Sequence, residues 1–324
     1  MAALLDLIYF AGSVVVTLAA AAFFARRLDR VGLRLGLPET MLGLLTALAA
    51  DAPETASAIA ALARGAPDVG VGVVLGSNVF NLAAMVGLSA IVCGRIHLHR
   101  EAVAIEGGVG LAATVIVGAL LLELLGPWPT LALLVVLLGP YLALLALGPT
   151  RAPRVFRPFF GRSHRPEHAL QHGEALLVPA LTLVPALAII VAGSFGMVDA
   201  ALSLAGRWDV PDAVVGILVL AILTSLPNAY TAARLALQHR GAALVSETLN
   251  SNTTNLLFGI TLPALFVSLG SLGALGGFGL AWLLLMTVVT LGLLATRRGI
   301  RRSGGTAILL LYVVFVVVQI VYAR

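Results

Sequence analysis

Lysine is absent from this chain, cysteine occurs once, as Cys93, and charged residues make up only 11% of its 324 positions. Each shortage excludes something. A soluble domain carries about 25% charged residues, so the chain lacks the polar material to coat a water-facing globule. One cysteine excludes a disulfide framework and a cysteine-built zinc site. All 20 basic residues are arginine, and in so apolar a chain the net charge of +5 reports membrane orientation rather than nucleic acid as a partner. No Walker, HExxH or Rossmann pattern is present, so no nucleotide or other cofactor is expected. What the chain has instead is apolar surface: hydrophobic residues form 60% of it and the mean hydropathy is +1.05. That is the composition of a multi-pass membrane protein, with the lipid bilayer as its main partner.

A bilayer core of about 30 Å needs roughly 20 apolar residues per helix. Ten segments meet that length: 5–25, 38–63, 69–93, 102–125, 128–149, 175–203, 211–236, 242–269, 274–296 and 304–323. The apolar stretch from Leu7 follows Asp6 rather than a basic segment and precedes Arg26 and Arg27, so it reads as a span and not as a cleavable signal. Placing both termini outside puts 17 arginines inside and leaves Arg64, Arg207 and Arg324 outside, as the positive-inside rule favours. The polar stretch 150–174 divides the chain into 1–149 and 175–324, with five spans each. Because five is odd, the second half enters the membrane from the opposite side. An all-α protein of ten transmembrane helices in two inverted-topology repeats is expected, an architecture common among secondary transporters.

The repeat is visible in the residues of the windows 43–82 and 216–256. At an offset of 174, Pro53 matches Pro227, Ser77 matches Ser251, Asn78 matches Asn252 and Asn81 matches Asn255. Each half thus carries P-[E/N]-x22-S-N-x-x-N across its second and third spans. A proline inside a span removes a backbone donor and clashes with the carbonyl four residues earlier, which breaks the helix and frees carbonyls near Ala49 and Leu223. Irregular backbone at membrane depth is tolerated where it lines a cavity. Glu54 follows Pro53, and Asp51 lies three residues before Glu54 on roughly the same face. Ser77 with Asn81, and Ser251 with Asn255, are four apart and project together. Carboxylate, hydroxyl and amide oxygens are the ligands of hard cations such as Ca²⁺, which takes 6–8 of them. With no His or Cys nearby, zinc and copper are disfavoured. Asn and Ser also glue helices together in membranes, but an ionisable carboxylate in mid-span is functional by default.

These residues resemble the sodium/calcium exchanger superfamily of cation antiporters, whose two signatures read roughly G-T-S-x-P-E and G-S-N-x-x-N or G-S-N-x-x-D. Here the first is Ala49-Ala50-Asp51-Ala52-Pro53-Glu54 with Gly76-Ser77-Asn78-Val79-Phe80-Asn81, and the second is Leu223-Thr224-Ser225-Leu226-Pro227-Asn228 with Asn250-Ser251-Asn252-Thr253-Thr254-Asn255. The resemblance implies ten helices, broken helices 2, 3, 7 and 8 at the core, and a midplane cation site used alternately from each side. Carried onto this chain, the ligand set is Glu54, Asp51, Ser77, Asn81, Thr224, Ser225, Asn228, Ser251 and Asn255. It also implies a bacterial or archaeal cell membrane, with Ca²⁺ and Na⁺ or H⁺ as transported substrates. The chain departs from the pattern in three places. Ala50 and Asp51 replace Thr and Ser, Asn228 replaces the second Glu, and Asn255 stands where many members have Asp. Both acidic residues then come from the first half, so a several-sodium stoichiometry is not carried over.

The other polar signals fit blander roles. His164, His168 and His172, with Glu167 and Glu174, lie in the Arg-rich linker and read as a solvated loop, as do His97 and His99 in theirs. Glu106 and Glu123, toward the ends of span four, are expected to reach water, and Glu247 to begin span eight as a helix-start residue favoured by the dipole or as an entry carboxylate. The leading reading is a secondary antiporter exchanging Ca²⁺ or a related divalent cation for Na⁺ or H⁺. The alternative is a passive cation pore, or a transport-dead scaffold keeping the fold. An intramembrane enzyme would need a nucleophile–base pair, which the spans lack.

Overall fold

The structure is a computed structural model that describes residues 2–35, 39–96, 103–154, 156, 181–238, 241–296 and 299–322. The histidines 97, 99, 164, 168 and 172, together with Glu167 and Glu174, lie outside the described residues. The chain is almost entirely helical. Among the described residues seven helices are long and apolar enough to cross a membrane, and a bent pair makes an eighth. One small feature was not expected. Arg95–Ile96 (β1) and Ile300–Arg301 (β2) form an antiparallel ladder of two residues each, pairing Arg95 with Arg301, so the two basic loops expected on one membrane side do meet.

The first half begins with α1 (Ala2–Arg34), α2 (Glu39–Ala50), α3 (Ala52–Ala63) and α4 (Pro67–Asn81). A π-helical segment, Leu82–Leu88, carries α4 into α5 (Ser89–Cys93). A second π-helical segment, Val103–Gly107, leads into α6 (Gly108–Leu121), and α7 (Pro127–Arg151) follows. In the second half α8 (Leu183–Trp208) precedes α9 (Asp212–Val214), a π-helical segment at Val215–Leu220, and α10 (Ala221–Thr224). After α11 (Leu226–Leu237) and α12 (Gly241–Asn255) come π-helical Leu256–Thr261, α13 (Ala274–Leu294) and α14 (Arg302–Tyr322).

The proline of each signature explains the local geometry. Pro53 and Pro227 sit in the first turn of α3 and α11, where the missing N–H costs nothing. The preceding helix must stop, so Asp51 and Ser225 fall at the junctions. The second-half junction bends by 45°. Helices 3 and 8 differ from expectation. α4 and α12 run on through Asn81 and Asn255 without a break, into π-helical turns that start at Leu82 and Leu256. The asparagines lie inside continuous spans, and no proline is present there to interrupt them. α3 and α11, and likewise α4 and α12, begin and end at the same offset of 174 as the sequence repeat.

α4 is the centre of the molecule, with Val69 through Val79 buried. It packs backbone-to-backbone on the Val215–Leu220 segment. A Cβ added at Gly76 would lie 2.1 Å from the Ile217 carbonyl oxygen, and one at Gly216 would lie 2.4 Å from that of Val69. Small residues permit this approach in membrane helices. Gly76→Ala is therefore expected to destabilise by about 3 kcal/mol, the upper end of overpacking costs. Thermal unfolding of detergent-solubilised protein measures it, with Gly108→Ala, where a Cβ meets nothing within 4 Å, as the control.

Candidate cation site

The junctions after α2 and α10 face each other across α4 and α12, and the signature residues converge between them. Asp51 and Glu54 are completely buried, at the N-terminal end of α3, where unpaired backbone N–H groups favour negative charge. The two carboxylates contact each other, and the hydroxyl and amide donors to them come from the second half. Asp51 Oδ1 accepts from Asn228 Nδ2 at 2.8 Å and from Ser251 Oγ at 2.5 Å, and its Oδ2 accepts from Thr254 Oγ1 at 2.6 Å. Glu54 Oε1 accepts from Ser225 Oγ and from Asn228 Nδ2 at 3.3 Å. Glu54 Oε2 accepts from Asn255 Nδ2 at 2.9 Å. The first half supplies both carboxylates and the second half supplies the hydroxyl and amide donors to them.

Around this pair α4 and α12 are joined by contacts that come in exchanged pairs. Asn78 Nδ2 donates to the Asn252 carbonyl and Asn252 Nδ2 to the Asn78 carbonyl, each at 3.0 Å. Asn81 Nδ2 donates to Asn252 Oδ1, and Asn255 Nδ2 to Asn78 Oδ1, each at 3.2 Å. Contacts of the form i-to-j and j-to-i are the mark of a two-fold relation. Asn81 also donates to Ser251 Oγ at 3.1 Å, which ties the network to Asp51.

Of the nine residues named from the sequence, Asp51, Glu54, Asn81, Ser225, Asn228, Ser251 and Asn255 form one connected cluster. Ser77 and Thr224 are buried beside it but bond to their own helices. Ser77 Oγ donates to the Val74 carbonyl and Thr224 Oγ1 to that of Leu220. Thr254, Asn78 and Asn252 are added by the structure. Thr254 lies three residues after Ser251 on one face of α12, a signal the sequence offered. The two middle asparagines of S-N-x-x-N were part of the motif but were read only as pattern.

The cluster has no arginine or histidine bonded to its carboxylates among the described residues, and three of its amide oxygens, Asn81 Oδ1, Asn228 Oδ1 and Asn255 Oδ1, are buried with no donor. Two carboxylates and a ring of acceptor oxygens suit a hard cation. Among the described residues no three His, Cys, Asp or Glu side chains gather to hold a metal, so ligands beyond the two carboxylates would be neutral oxygens.

A buried ionisable oxygen cluster between paired half-helices, inside a chain of membrane-length helices, defines a polytopic membrane protein built around an intramembrane polar site. The family model described as sodium/calcium exchanger protein matches residues 5–147 and 178–321, and the chain belongs to that family. It is 29% identical over 137 residues to sodium/calcium exchanger MaX1 of Methanosarcina acetivorans, a match spanning 42% of this chain and 39% of that protein. It is 26% identical over 276 residues to inner membrane protein YrbG of Escherichia coli, spanning 85% and 84%. Its fold is similar to that of the sodium-calcium exchanger NCX_Mj soaked with 100 mM Na⁺ and 10 mM Sr²⁺, at TM-score 0.66 and 20% identity over 97% and 98% of the chains. Native YfkE matches at TM-score 0.65 and 17% identity over 96% and 91%.

Proposed function

We propose that this protein is a secondary active antiporter that exchanges Ca²⁺, or a related divalent cation, for Na⁺ or H⁺ by alternating access. The observation that carries this reading is the buried Asp51/Glu54 pair, ringed by second-half hydroxyls and amides and by three amide oxygens without donors. The two carboxylates balance one divalent cation or two monovalent ones. Asn81, Asn228 and Asn255 turn an oxygen toward the ion by rotating their amides, while Ser225, Ser251 and Thr254 turn a lone pair toward it. In this reading the ten spans form two inverted halves with both termini outside. The Asp6–Arg207 ion pair, 2.8 Å long, supports a shared side for the N-terminus and the end of α8.

Radiolabelled calcium uptake into proteoliposomes under sodium, potassium or proton gradients tests the function. Uptake is expected only when an outward gradient of Na⁺ or H⁺ is imposed. Flux that follows the calcium gradient alone would make the protein a pore, and no flux would make it a scaffold. Calcium and protons compete for the same two carboxylates, which titrate as a pair. Apparent calcium affinity is therefore expected to weaken as pH falls, by up to about a hundredfold per pH unit if both protons must leave. An affinity that stays flat from acid to alkaline pH, with sodium as the sole driver, would rule out proton coupling. Orientation is checked by cysteine labelling in a Cys93→Ser background, which keeps a donor for the Ala236 carbonyl. Cysteines at positions 30 and 207 are expected to react from opposite sides.

A further inference from the structure

Glu106 is a buried carboxylate that the proposed cation cycle does not use. It lies in the π-helical Val103–Gly107 segment and is only 6% exposed, so it does not reach water as expected from its position near a span end. Glu123 does, at the exposed end of α6. Glu247, expected to start its helix, is instead 8% exposed in the middle of α12.

Three hydrogen bonds run in one direction toward Glu106. The Tyr141 hydroxyl donates to Asn250 Oδ1 at 2.6 Å, Asn250 Nδ2 donates to Ser246 Oγ at 3.4 Å, and Ser246 Oγ donates to Glu106 Oε1 at 2.6 Å. The chain ends on a carboxylate whose other oxygen, Oε2, is buried and has no donor. Metal cations need several oxygens around them, and here Glu106 Oε1, Ser246 Oγ and Asn250 Oδ1 already accept from Ser246, Asn250 and Tyr141 in turn. One bare carboxylate oxygen in an apolar setting suits the only cation satisfied by a single ligand atom, the proton.

We propose that Glu106 Oε2 is a second proton-binding site, separate from the Asp51/Glu54 pair and linked to it through α12. Ser246 and Asn250 lie on the same helix as Ser251, Thr254 and Asn255, and Asn250 directly precedes Ser251. Loading forms one O–H bond at Oε2 and breaks one in a hydronium ion at the membrane face, which is left as water, and no bond within the protein breaks. Among the described residues, the helices packed on the Glu106 segment are α6, α12 and α13, and α6 and α13 contain no titratable side chain. α12 brings Glu247, next to Ser246, and α7 brings Tyr141. The consequence for transport rests on the antiporter reading, whereas proton binding at Glu106 does not.

Infrared difference spectra of the purified full-length protein, titrated from alkaline to acid pH, read protonated carboxyl groups directly. A carboxyl C=O band is expected to appear on acidification, to persist in saturating calcium, and to be missing in Glu106→Gln. Ser246→Ala removes the hydrogen bond on Oε1, together with the acceptor of the long Asn250 contact, leaves Oε2 untouched, and is expected to shift that band in frequency without removing it. This second variant decides the matter if Glu106→Gln does not fold. In proteoliposomes Glu106→Gln is expected to lower the steepness of the flux-versus-pH curve by one proton, a tenfold smaller change per pH unit. A band unchanged in Glu106→Gln, abolished by calcium, or unmoved in Ser246→Ala would overturn the proposal. Loss of the band in Glu106→Gln from a protein that binds no calcium would sustain the proton site and reject the exchanger reading.

Discussion

Glu54→Gln is expected to abolish calcium transport while leaving the fold intact. Glu54 supplies half of the negative charge in the cluster, and removing one partner from a buried ionic contact costs about 3–5 kcal/mol. That corresponds to a loss of at least about a hundredfold in affinity. The variant keeps an oxygen for Ser225, and Asn255 can turn its donor-free Oδ1 toward the new amide N–H at the cost of its contact to Asn78. Calcium binding by calorimetry, flux, and thermal unfolding in calcium-free buffer separate the two effects. Undiminished flux in a well-folded Glu54→Gln protein would remove Glu54 from the site.

Asn228→Glu has the opposite sign and a larger structural effect. Asn228 Nδ2 donates to Asp51 Oδ1, to both oxygens of Glu54 and to Ser251 Oγ, so a glutamate there trades these donor contacts for a third buried carboxylate. The single variant is expected to lose folded protein in calcium-free buffer at neutral pH and to regain it on adding calcium or acid. Asp51→Ser alone removes half the charge. The double variant Asp51→Ser with Asn228→Glu returns the count to two carboxylates, one from each half. It is expected to recover stability beyond the sum of its parts by more than about 2 kcal/mol, as contacting residues do, and to shift exchange toward sodium. Additive losses would mean that Asp51 and Asn228 do not share a site.

The sequence reading reached the parts that periodicity and composition control. The membrane-length helices, seven or eight among the described residues against the ten expected, and the P-[E/N]-x22-S-N-x-x-N spacing needed only the bilayer's thickness and the geometry of proline. Long-range pairing was not legible. No spacing rule says that the Asp51 and Glu54 donors come from the other half, or that Asn78 and Asn252 exchange bonds across α4 and α12. Ser77 and Thr224 look like ligands by position, yet each hydroxyl settles on its own helix carbonyl. Glu106 was misread because nearness to a span end suggests water, whereas its segment winds as a π-helix and packs against α12.

The asymmetry of the cluster has an energetic meaning for an exchanger of two related halves. If both halves carried the same groups, swapping their conformations would map one end state onto the other, and the resting molecule would divide equally between them. Here the exchanged asparagine contacts keep that swap, but both carboxylates ride on the first half. The two end states of the proposed cycle would therefore differ in energy, and a few kcal/mol is enough to leave one of them a minor species. In the proposed exchange cycle, which side of the membrane the empty carrier would face, and on which side the cation would bind more tightly, follows from where these two charges sit.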